Sequence, residues 1–402
     1  MTKIGIIREG KTPPDHRVPL TPAQAKFIKE SYQDVEVVCQ TSTIRCFSDY
    51  QYADEGIEIV ESLEDCDIIL GVKEVEIEDL LDGKTYIFFS HTIKEQPYNK
   101  KLLQSILKKK IRLIDYEVLT DEEGQRIIAF GRWAGIVGAY NGLLTYGKRY
   151  NTYSLRKATE CYNYEDLKTE YSKIELPAMK IAITGGGRVA KGAMEVLNGV
   201  GIRKVTPAVF IEQYFHEPVF TQLNNRDYHI HKEGDAFNRG EFFKSPENFD
   251  SDFKKFSQKT DLLIAAAFWN PAAPVLFTQE DACQSDFRIK VVADITCDIE
   301  GSIPSTKQPS TIEDPVYDYD PTQDKLAPAF SDEGNISVMA VDNLPCELPR
   351  DASEDFGSQL IKNVIPHLLG DDAHGVIKGA TITQDGSLTS KFAYLKNYAS
   401  NK

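Results

Sequence analysis

The sequence predicts an α/β protein built from two Rossmann-like lobes with parallel sheets, and three observations lead to this fold class. Short apolar runs of strand length alternate with helix-like stretches, which is typical of parallel strands joined by crossover helices. An apolar strand, a triple glycine and a helix follow one another over residues 179–193, the order of elements at a nucleotide site. The chain has 402 residues, enough to bury two separate cores.

The first lobe is predicted mainly from the N-terminal third of the chain. Residues 3–7 have the pattern of a strand, and Thr21 before Pro22 is a residue pair that commonly begins a helix. Further strands are expected at 35–38, 66–72, 84–89 and 111–114. We assign residues 1–131 and 331–402 to this substrate-binding lobe, which is thus discontinuous in sequence, and 132–330 to the Rossmann lobe. An active-site cleft is expected to separate the two.

The Rossmann lobe is predicted to open with the strand at 179–184. Gly185 permits the tight turn, Gly187 lets backbone amides approach a pyrophosphate, and Ala190 is small enough for the helix to pack on its strand. A glycine triplet alone also fits an ordinary sharp turn between a strand and a helix. The predicted cofactor-binding residues are Gly185, Gly186, Gly187, Arg188, Val189, Ala190 and Asp294.

The remaining strands of this lobe are expected at 205–210, 262–267 and 290–295. Between the first two, residues 212–259 are rich in charged and aromatic side chains without a clear period. A structureless loop of this length is uncommon in a compact domain. We therefore expect an insertion with short helices, to which the sequence gives no role.

Composition excludes several classes of function. The net charge is -15, with 61 acidic against 46 basic residues, which argues against binding to nucleic acid or to an anionic membrane. The seven cysteines form no CxxC pair, and His229 and His231 lack an evident third ligand, so no metal site is predicted. The apolar run at 262–269 is too short to cross a bilayer, and the N-terminus does not have the pattern of a signal peptide. A cytoplasmic monomer or small homo-oligomer is expected.

Polar side chains follow several of the predicted strands of the first lobe. Ligands of parallel α/β sheets bind at the carboxyl ends of strands, so these residues are candidates for a site. Any one of them, taken alone, could also be an ordinary polar strand end in solvent. Lys73 and His91 can share acid-base work, while Arg17 and Arg126 carry forked guanidinium groups that suit carboxylates. The residues that follow strands are Asp15, Arg17, Lys73, Glu74, Ser90, His91, Asp115 and Glu117.

Six stretches of the chain resemble a known family, and together they extend over nearly its whole length. They are similar to the lysine-forming saccharopine dehydrogenases, and more so to the lysine-ketoglutarate reductase half of the bifunctional aminoadipic semialdehyde synthases. These enzymes belong to the broader alanine dehydrogenase and transhydrogenase superfamily. The stretches are residues 15–22, 71–74, 84–94, 111–117, 129–135 and 341–350.

The resemblance implies that the chain interconverts saccharopine with L-lysine and 2-oxoglutarate, using a nicotinamide cofactor. In the reductive direction the ε-amine of lysine attacks the oxo carbon, water is lost to give an imine, and hydride reduces it. The resemblance implies Lys73 and His91 as the acid-base pair, with Glu74 and Glu117 tuning them. It also implies that Arg17, Arg126 and Phe130 hold the oxoglutarate part and that Asp342 lies near the reacting centre.

The choice between NAD and NADP stays open in the sequence. An acidic residue is expected about 20 residues beyond the glycines, where it binds the ribose hydroxyls of NAD. The predicted second strand at 204–210 lacks it, and Glu212 comes slightly late. Two other functions are also compatible with the sequence. One is an alanine dehydrogenase-like deamination of a smaller amino acid, and the other is a nucleotide-binding regulator without turnover.

Overall fold

The protein was analysed as a computed structural model that describes residues 1–400. The chain divides into two compact units. Unit 1 is Met1–Phe130 with the described residues from Pro349 onward, and unit 2 is Gly131–Leu348. The strands are β1 (Thr2–Ile6), β2 (Val35–Gln40), β3 (Glu58–Val60), β4 (Ile68–Leu70), β5 (Thr85–Phe88), β6 (Arg112–Asp115), β7 (Lys180–Thr184), β8 (Arg203–Lys204), β9 (Val219–Leu223), β10 (His229–His231), β11 (Phe249–Ser251), β12 (Leu262–Ala265), β13 (Val291–Asp294), β14 (Val316–Asp320), β15 (Lys325–Ala327), β16 (Ile336–Met339), β17 (Thr381–Gln384) and β18 (Ser387–Leu388).

Helices connect most of these strands, as expected for parallel pairs. They are α1 (Pro22–Ser31), α2 (Asp49–Asp54), α3 (Lys100–Lys108), α4 (Gly131–Tyr150), α5 (Tyr164–Lys168), α6 (Arg188–Gly199), α7 (Pro207–Glu212), α8 (Asn225–Tyr228), α9 (Arg239–Lys244), α10 (Lys254–Ser257), α11 (Gln279–Ala282), α12 (Pro349–Asn363), α13 (Ile365–Leu369), α14 (Val376–Ala380) and α15 (Lys396–Ala399).

Unit 1 is built on an eight-stranded sheet in the order β18-β17-β6-β5-β4-β1-β2-β3. The six strands from β1 to β6 pair in parallel, and β17 joins β6 in antiparallel fashion. The central strand β4 is buried along its whole length, which explains why it consists of isoleucine and leucine only. The carboxyl ends of β1, β4, β5 and β6 therefore meet at one edge of the sheet.

Helix α1 begins where the sequence predicted. Thr21 accepts a hydrogen bond from the backbone N–H of Gln24, and the Gln24 side chain accepts one from the backbone N–H of Thr21. This reciprocal capping, with Pro22 at the first helical position, satisfies amide groups that would otherwise lack partners. The segment after β1 is thereby held against the sheet.

Unit 2 contains a second eight-stranded sheet in the order β15-β14-β16-β13-β12-β7-β9-β8. The pairings β8-β9, β9-β7, β7-β12, β12-β13 and β13-β16 are parallel, whereas β14 pairs with both β16 and β15 in antiparallel fashion. The fold class predicted from the sequence, two mostly parallel α/β lobes, is confirmed. The predicted boundary is wrong in one place: residues 331–348 lie in unit 2, where β16 pairs with β13.

The second strand of unit 2 was also assigned wrongly from the sequence. Residues 205–210 are not a strand, because Thr206 caps a helix whose first residue is Pro207. On one side β7 pairs with β12, and on the other it pairs with β9, which lies inside the stretch 212–259 that we predicted to be an insertion. Its five residues follow a proline and give too short an alternating pattern to stand out.

Helix α4 packs very closely on α6. A Cβ atom at Gly135 would lie 1.9 Å from the backbone oxygen of Val189, and one at Gly192 would lie 2.0 Å from that of Arg132. Glycines at both positions allow the two backbones to touch, which fixes α6 and the loop that precedes it. Among residues 1–400, no helix is both long enough and apolar enough to cross a membrane.

Candidate functional site

The sheet edge of unit 1 gathers the polar residues that the sequence singled out. Asp15 and Arg17 follow β1, the pair Lys73 and Glu74 follows β4, and the other two candidates follow the next strands in the sheet. These are His91 after β5 and Glu117 after β6. Parallel strands bring their carboxyl ends to the same edge, so residues far apart in sequence form one cluster.

Glu74 is the centre of this cluster. Its Oε1 atom lies 2.6 Å from Nδ1 of His91, and its Oε2 atom lies 2.6 Å from Nζ of Lys11. Burial raises the pKa of the Glu74 carboxyl, but the hydrogen bonds from His91 and Lys11 outweigh it and lower the pKa to about 2. Glu74 is therefore an anion at neutral pH that orients the imidazole and compensates nearby positive charge.

Lys73 is half-buried beside this anion. Burial lowers the pKa of its amine, and the positive charge of Arg17 lowers it further. In the described part of the chain, no hydrogen bond or ion pair of its Nζ atom is present. An amine whose pKa is lowered in this way gives up its proton more readily than an ordinary lysine, which suits the acid-base role that we predicted for Lys73.

His91 is held in an unusual backbone conformation. Its φ is +52°, in the left-handed region that residues other than glycine rarely adopt. Such conformations persist only where the surrounding contacts enforce them, and here the contact to Glu74 and the stacking of Phe89 on the imidazole contribute. The strand-end turn after β5 thus presents the imidazole in one orientation.

Arg17 does not offer a free fork to a ligand. Its Nε and Nη2 atoms donate to the two carboxylate oxygens of Asp15 at 3.0 and 2.6 Å, and both side chains are buried. The guanidinium carbon lies 4.2 Å from the centre of the Phe130 ring, which in turn stacks on Phe356. Two sides of the guanidinium are thereby occupied within the protein, which the sequence could not indicate.

Arg126 and Glu117 form a second, more exposed pair. Nη2 of Arg126 lies 3.0 Å from Oε1 of Glu117, and Nζ of Lys94 lies 3.3 Å from the same oxygen. The other oxygen of Glu117, Oε2, is buried and has no hydrogen-bond partner among residues 1–400. Arg126 itself is exposed, so a carboxylate ligand can reach it from solvent.

Two members of the cluster were not found from the sequence. Lys11 lies in a loop without regular structure, and nothing in its sequence context indicates that it reaches Glu74. Glu9 is buried just after β1 and accepts hydrogen bonds from the backbone N–H groups of Val72 and Lys73. Its position directly after an apolar run was the available signal, because charged residues are seldom buried without partners.

The glycine loop of unit 2 has the features required for a phosphate group. Gly185 has a φ of +94°, and a Cβ atom there would lie 2.9 Å from the backbone oxygen of Ala266. Gly187 precedes α6 and provides no side chain to cap the first amides of this 12-residue helix. Gly186, Gly187 and Arg188 are exposed, so these amides are open to a ligand.

The other residues predicted for the cofactor support the helix or lie at strand ends. Ala190 is fully buried, and the backbone of Val189 contacts α4. The carboxylate of Asp294 accepts hydrogen bonds from Thr296 and Cys297 through one oxygen and from Thr306 through the other. Asp294 therefore shapes the loop after β13. Asp342, expected in the first lobe, is an exposed residue of unit 2 after β16.

The position after β9 is occupied by an amide instead of an acid. Asn224 is exposed, and its Oδ1 atom lies 2.8 Å from where a Cβ of Gly186 would be. Gln222 donates from Nε2 to the backbone oxygen of Gly185 at 2.9 Å and so ties this strand to the glycine loop. Arg226 follows two residues later with an exposed side chain.

A cavity of about 110 Å³ lies beside this strand end, entirely within unit 2. The end of β7 contributes Thr184, and the loop after β12 contributes Phe268 and Trp269. His229 and Phe242 come from the stretch 212–259, which therefore forms one wall. Burial lowers the pKa of His229 to about 4, so its imidazole is neutral. In residues 1–400, no group of three or more His, Cys, Asp or Glu side chains is arranged to hold a metal.

The chain is similar in sequence to a known protein family and to several characterised enzymes. Residues 5–137 match the family described as alanine dehydrogenase/PNT, N-terminal domain. The mitochondrial alpha-aminoadipic semialdehyde synthase of Mus musculus is 31% identical over 98% of this chain and 47% of its own length. The lysine-forming, NAD(+) saccharopine dehydrogenase of Emericella nidulans is 27% identical over 90% of this chain and 91% of its own.

These relatives confirm the resemblance predicted from the sequence. The chain spans about half the length of the aminoadipic semialdehyde synthases that it matches. Among solved structures, an L-alanine dehydrogenase matches with a TM-score of 0.68 at 15% identity, over 99% of this chain and 100% of that one. A transhydrogenase from Sinorhizobium meliloti matches with a TM-score of 0.58 at 16% identity, over 96% and 100%. At such identities the two structures establish the fold alone.

Proposed function

We propose that the chain is an oxidoreductase that interconverts saccharopine with L-lysine and 2-oxoglutarate, using a nicotinamide cofactor. The observation that carries the proposal is the cluster of Lys73, Glu74 and His91 at one sheet edge. The reaction needs two groups that can exchange protons with the substrate, because forming and reducing an imine from an amine moves protons in separate steps. An amine of lowered pKa and an imidazole supply them.

The roles of the two groups follow from their surroundings. Lys73 has an amine whose proton is held weakly, so it is suited to take the proton released when the substrate amine attacks the oxo carbon. His91 is fixed by the Glu74 anion, so its other nitrogen can give a proton to the departing water. In the oxidative direction the same groups work in reverse.

The two arginines divide the binding work. Arg126 is exposed, which makes it the candidate for direct contact with a carboxylate of 2-oxoglutarate. Arg17 is engaged by Asp15 and packed on Phe130, and its remaining contribution to substrate binding is to keep the site positive and to shape it.

Unit 2 would hold the dinucleotide, whose chemistry is to accept or deliver the hydride. The amides at the start of α6 would bind the pyrophosphate, and Gly186 and Gly187 keep that approach free of side chains. The cavity next to Asn224 offers aromatic walls that suit an adenine. Because Asn224 and Arg226 stand where NAD enzymes place an acid, we propose that NADP(H) is accepted as well as NAD(H).

Initial-rate measurements test the proposed substrates and the proposed cofactor preference together. We expect oxidation of NADPH, and of NADH to a lesser extent, only when L-lysine and 2-oxoglutarate are both present. The substitution Asn224→Asp should shift the ratio of kcat/KM toward NADH, because a carboxylate repels a 2′-phosphate and accepts hydrogen bonds from ribose hydroxyls. Absence of turnover with either cofactor would remove the proposal.

Two alternatives have separate signatures. An alanine dehydrogenase-like enzyme would turn over pyruvate and ammonia, and Arg126 would then have little to bind. A regulator without turnover would bind the dinucleotide but show no rate with any amino acid. The intact Lys73 and His91 argue against the regulator, because a protein without catalysis has no need of an acid-base pair.

A further inference from the structure

We infer that Glu9 is a positioning residue for the acid-base pair, acting through the turn that carries Lys73. This inference deepens the proposed function and rests on it. Glu9 lies shortly after the end of β1, the strand next to β4 in the sheet, and only 8% of it is exposed.

The Glu9 carboxylate holds two consecutive backbone amides. Oε1 accepts a hydrogen bond from the N–H of Val72 at 2.7 Å, and Oε2 accepts one from the N–H of Lys73 at 2.9 Å. These amides lie beyond the last residue of β4, where the regular pairing of the strand has ended. Two consecutive amides are thus bound by the two oxygens of one buried side chain, which fixes the backbone at the start of the turn.

The same turn is connected to the segment that carries His91. The carbonyl oxygen of Val72 accepts a hydrogen bond at 3.0 Å from the N–H of Phe89, two residues before His91. The peptide of Val72 is thus fixed by Glu9 on one side and by Phe89 on the other. Glu74 then reaches His91 with its own carboxylate. The side chain of Glu9 therefore supports Lys73 and His91 through the backbone. It does not contact the amine of Lys73 or the imidazole of His91.

The turn after β4 is closely packed, so its backbone has little room to adopt another conformation. A Cβ atom at Gly71 would lie 3.0 Å from Ile7 and 3.6 Å from Oε1 of Glu9. Burial, with the negative charge of Asp15, raises the pKa of Glu9 to about 8, while the two amides and Arg17 act to lower it. A carboxyl kept in such a costly place, with both oxygens used on one turn, is explained by the need to hold that turn.

The test compares Glu9→Gln and Glu9→Ala with the control Glu58→Gln, which removes an exposed carboxylate from the same sheet. Gln keeps the size of the side chain but offers one acceptor oxygen to two amides. We expect faster hydrogen exchange at the amides of 71–75 in both Glu9 variants. We expect kcat to fall by about tenfold or more with little change in the KM of either substrate, because misplaced groups slow chemistry more than binding.

A second readout needs no substrate. The pH dependence of Lys73 acylation by acetic anhydride, followed by mass spectrometry, reports the ionisation of its amine. Once the turn loosens, Lys73 should reach solvent, and the midpoint of labelling should move up toward that of an ordinary lysine. The charged groups around the amine, Arg17, Asp15, Lys11 and Glu74, are unchanged by the substitution.

Each outcome decides the inference. Unchanged exchange, labelling midpoint and kcat in folded Glu9→Gln would overturn it. A lower melting temperature with an unchanged labelling profile would show that Glu9 is merely structural. If Glu9→Ala does not fold, Glu9→Gln decides alone. If the wild type does not turn over lysine and 2-oxoglutarate, the proposed function fails. The hydrogen exchange of residues 71–75 and the labelling midpoint of Lys73 then still test the role of Glu9.

Discussion

Nδ1 of His91 lies 2.6 Å from Oε1 of Glu74, although the two residues are 17 positions apart and follow different strands. This contact joins the group that we assign to proton transfer with a carboxylate whose pKa is lowered to about 2. It also explains why the turn after β5 tolerates a positive φ at a histidine. The consequences of this arrangement can be measured.

Replacing Glu74 should alter acid stability in a defined pH range. The pKa of Glu74 is lower in the folded chain than its usual 4.5, so its contribution to stability is present above about pH 4.5 and is lost as pH falls toward 2. The shift corresponds to a free energy on the order of 3 kcal/mol. Glu74→Gln should flatten the pH dependence of urea unfolding in this range, and Glu78→Gln, an exposed neighbour, should not.

Lys73→Met should separate activity from stability. Turnover should fall by about a hundredfold or more as the proton acceptor is lost, while the Kd of the dinucleotide stays nearly constant. The lowered pKa of Lys73 means that its protonated form destabilises the folded chain at neutral pH, so the variant should melt at a higher temperature. That gain should disappear as pH rises to about 10.5, where the unfolded amine also loses its proton.

The control for this prediction is Lys101→Met, which removes an exposed lysine from α3. It should change neither turnover nor the pH dependence of melting. Equal losses of turnover and of dinucleotide affinity in Lys73→Met would show that Lys73 has a structural role.

Arg126→Leu should weaken the binding of 2-oxoglutarate in particular. Loss of a charge-assisted contact to a carboxylate costs about 1.5–3 kcal/mol, which corresponds to roughly a 10- to 150-fold lower kcat/KM for the oxo acid. The KM of lysine and the melting temperature should change little, because Arg126 is exposed. An unchanged kcat/KM for 2-oxoglutarate would exclude Arg126 from the site.

Arg17→Leu should behave differently, because Arg17 and Asp15 are buried against each other. Removing one member of a buried ion pair leaves an uncompensated charge and costs about 3–5 kcal/mol of unfolding free energy. The double variant Asp15→Asn with Arg17→Leu should recover part of that loss. If the single variant is as stable as the wild type but binds 2-oxoglutarate poorly, direct contact with substrate is the better account.

Glu347 offers a prediction in unit 2 that is independent of catalysis. It is 3% exposed, accepts a hydrogen bond from Asn141, and has a pKa raised by burial to about 8. A raised carboxyl pKa stabilises the folded chain below about pH 4.5 and loses this effect as pH rises to 8. Glu347→Gln should therefore reduce the decline of unfolding free energy between these limits. Glu280→Gln, on the exposed face of α11, should leave that decline unchanged.

Local patterns allowed much of the fold to be predicted. The Thr21 cap before Pro22 and the Gly185–Gly187 turn depend on neighbours in sequence, so their residue types suffice. Strand β9 was missed because five residues carry little periodic signal, while 205–210 looked like a strand until its cap and proline are considered. Short elements are decided by their tertiary pairing, which a single sequence does not display.

The cluster at the edge of the first sheet was predictable only in outline. Parallel strands imply that Lys73, His91 and Glu117 share an edge, but the sequence does not specify which atoms meet. The capture of Arg17 by Asp15 and the approach of Lys11 to Glu74 depend on loop conformation. Glu9 was overlooked because its partners are backbone amides, which have no sequence signature.

The most direct measurement of the central claim follows the transferred hydride into the product. The protein is incubated with L-lysine, 2-oxoglutarate and NADPH or NADH deuterated at the transferable position, and saccharopine is detected by mass spectrometry. We predict saccharopine with one deuterium per molecule from the wild type and almost none from Lys73→Met. Absence of saccharopine with both cofactors, or equal yields from the two proteins, would contradict the account.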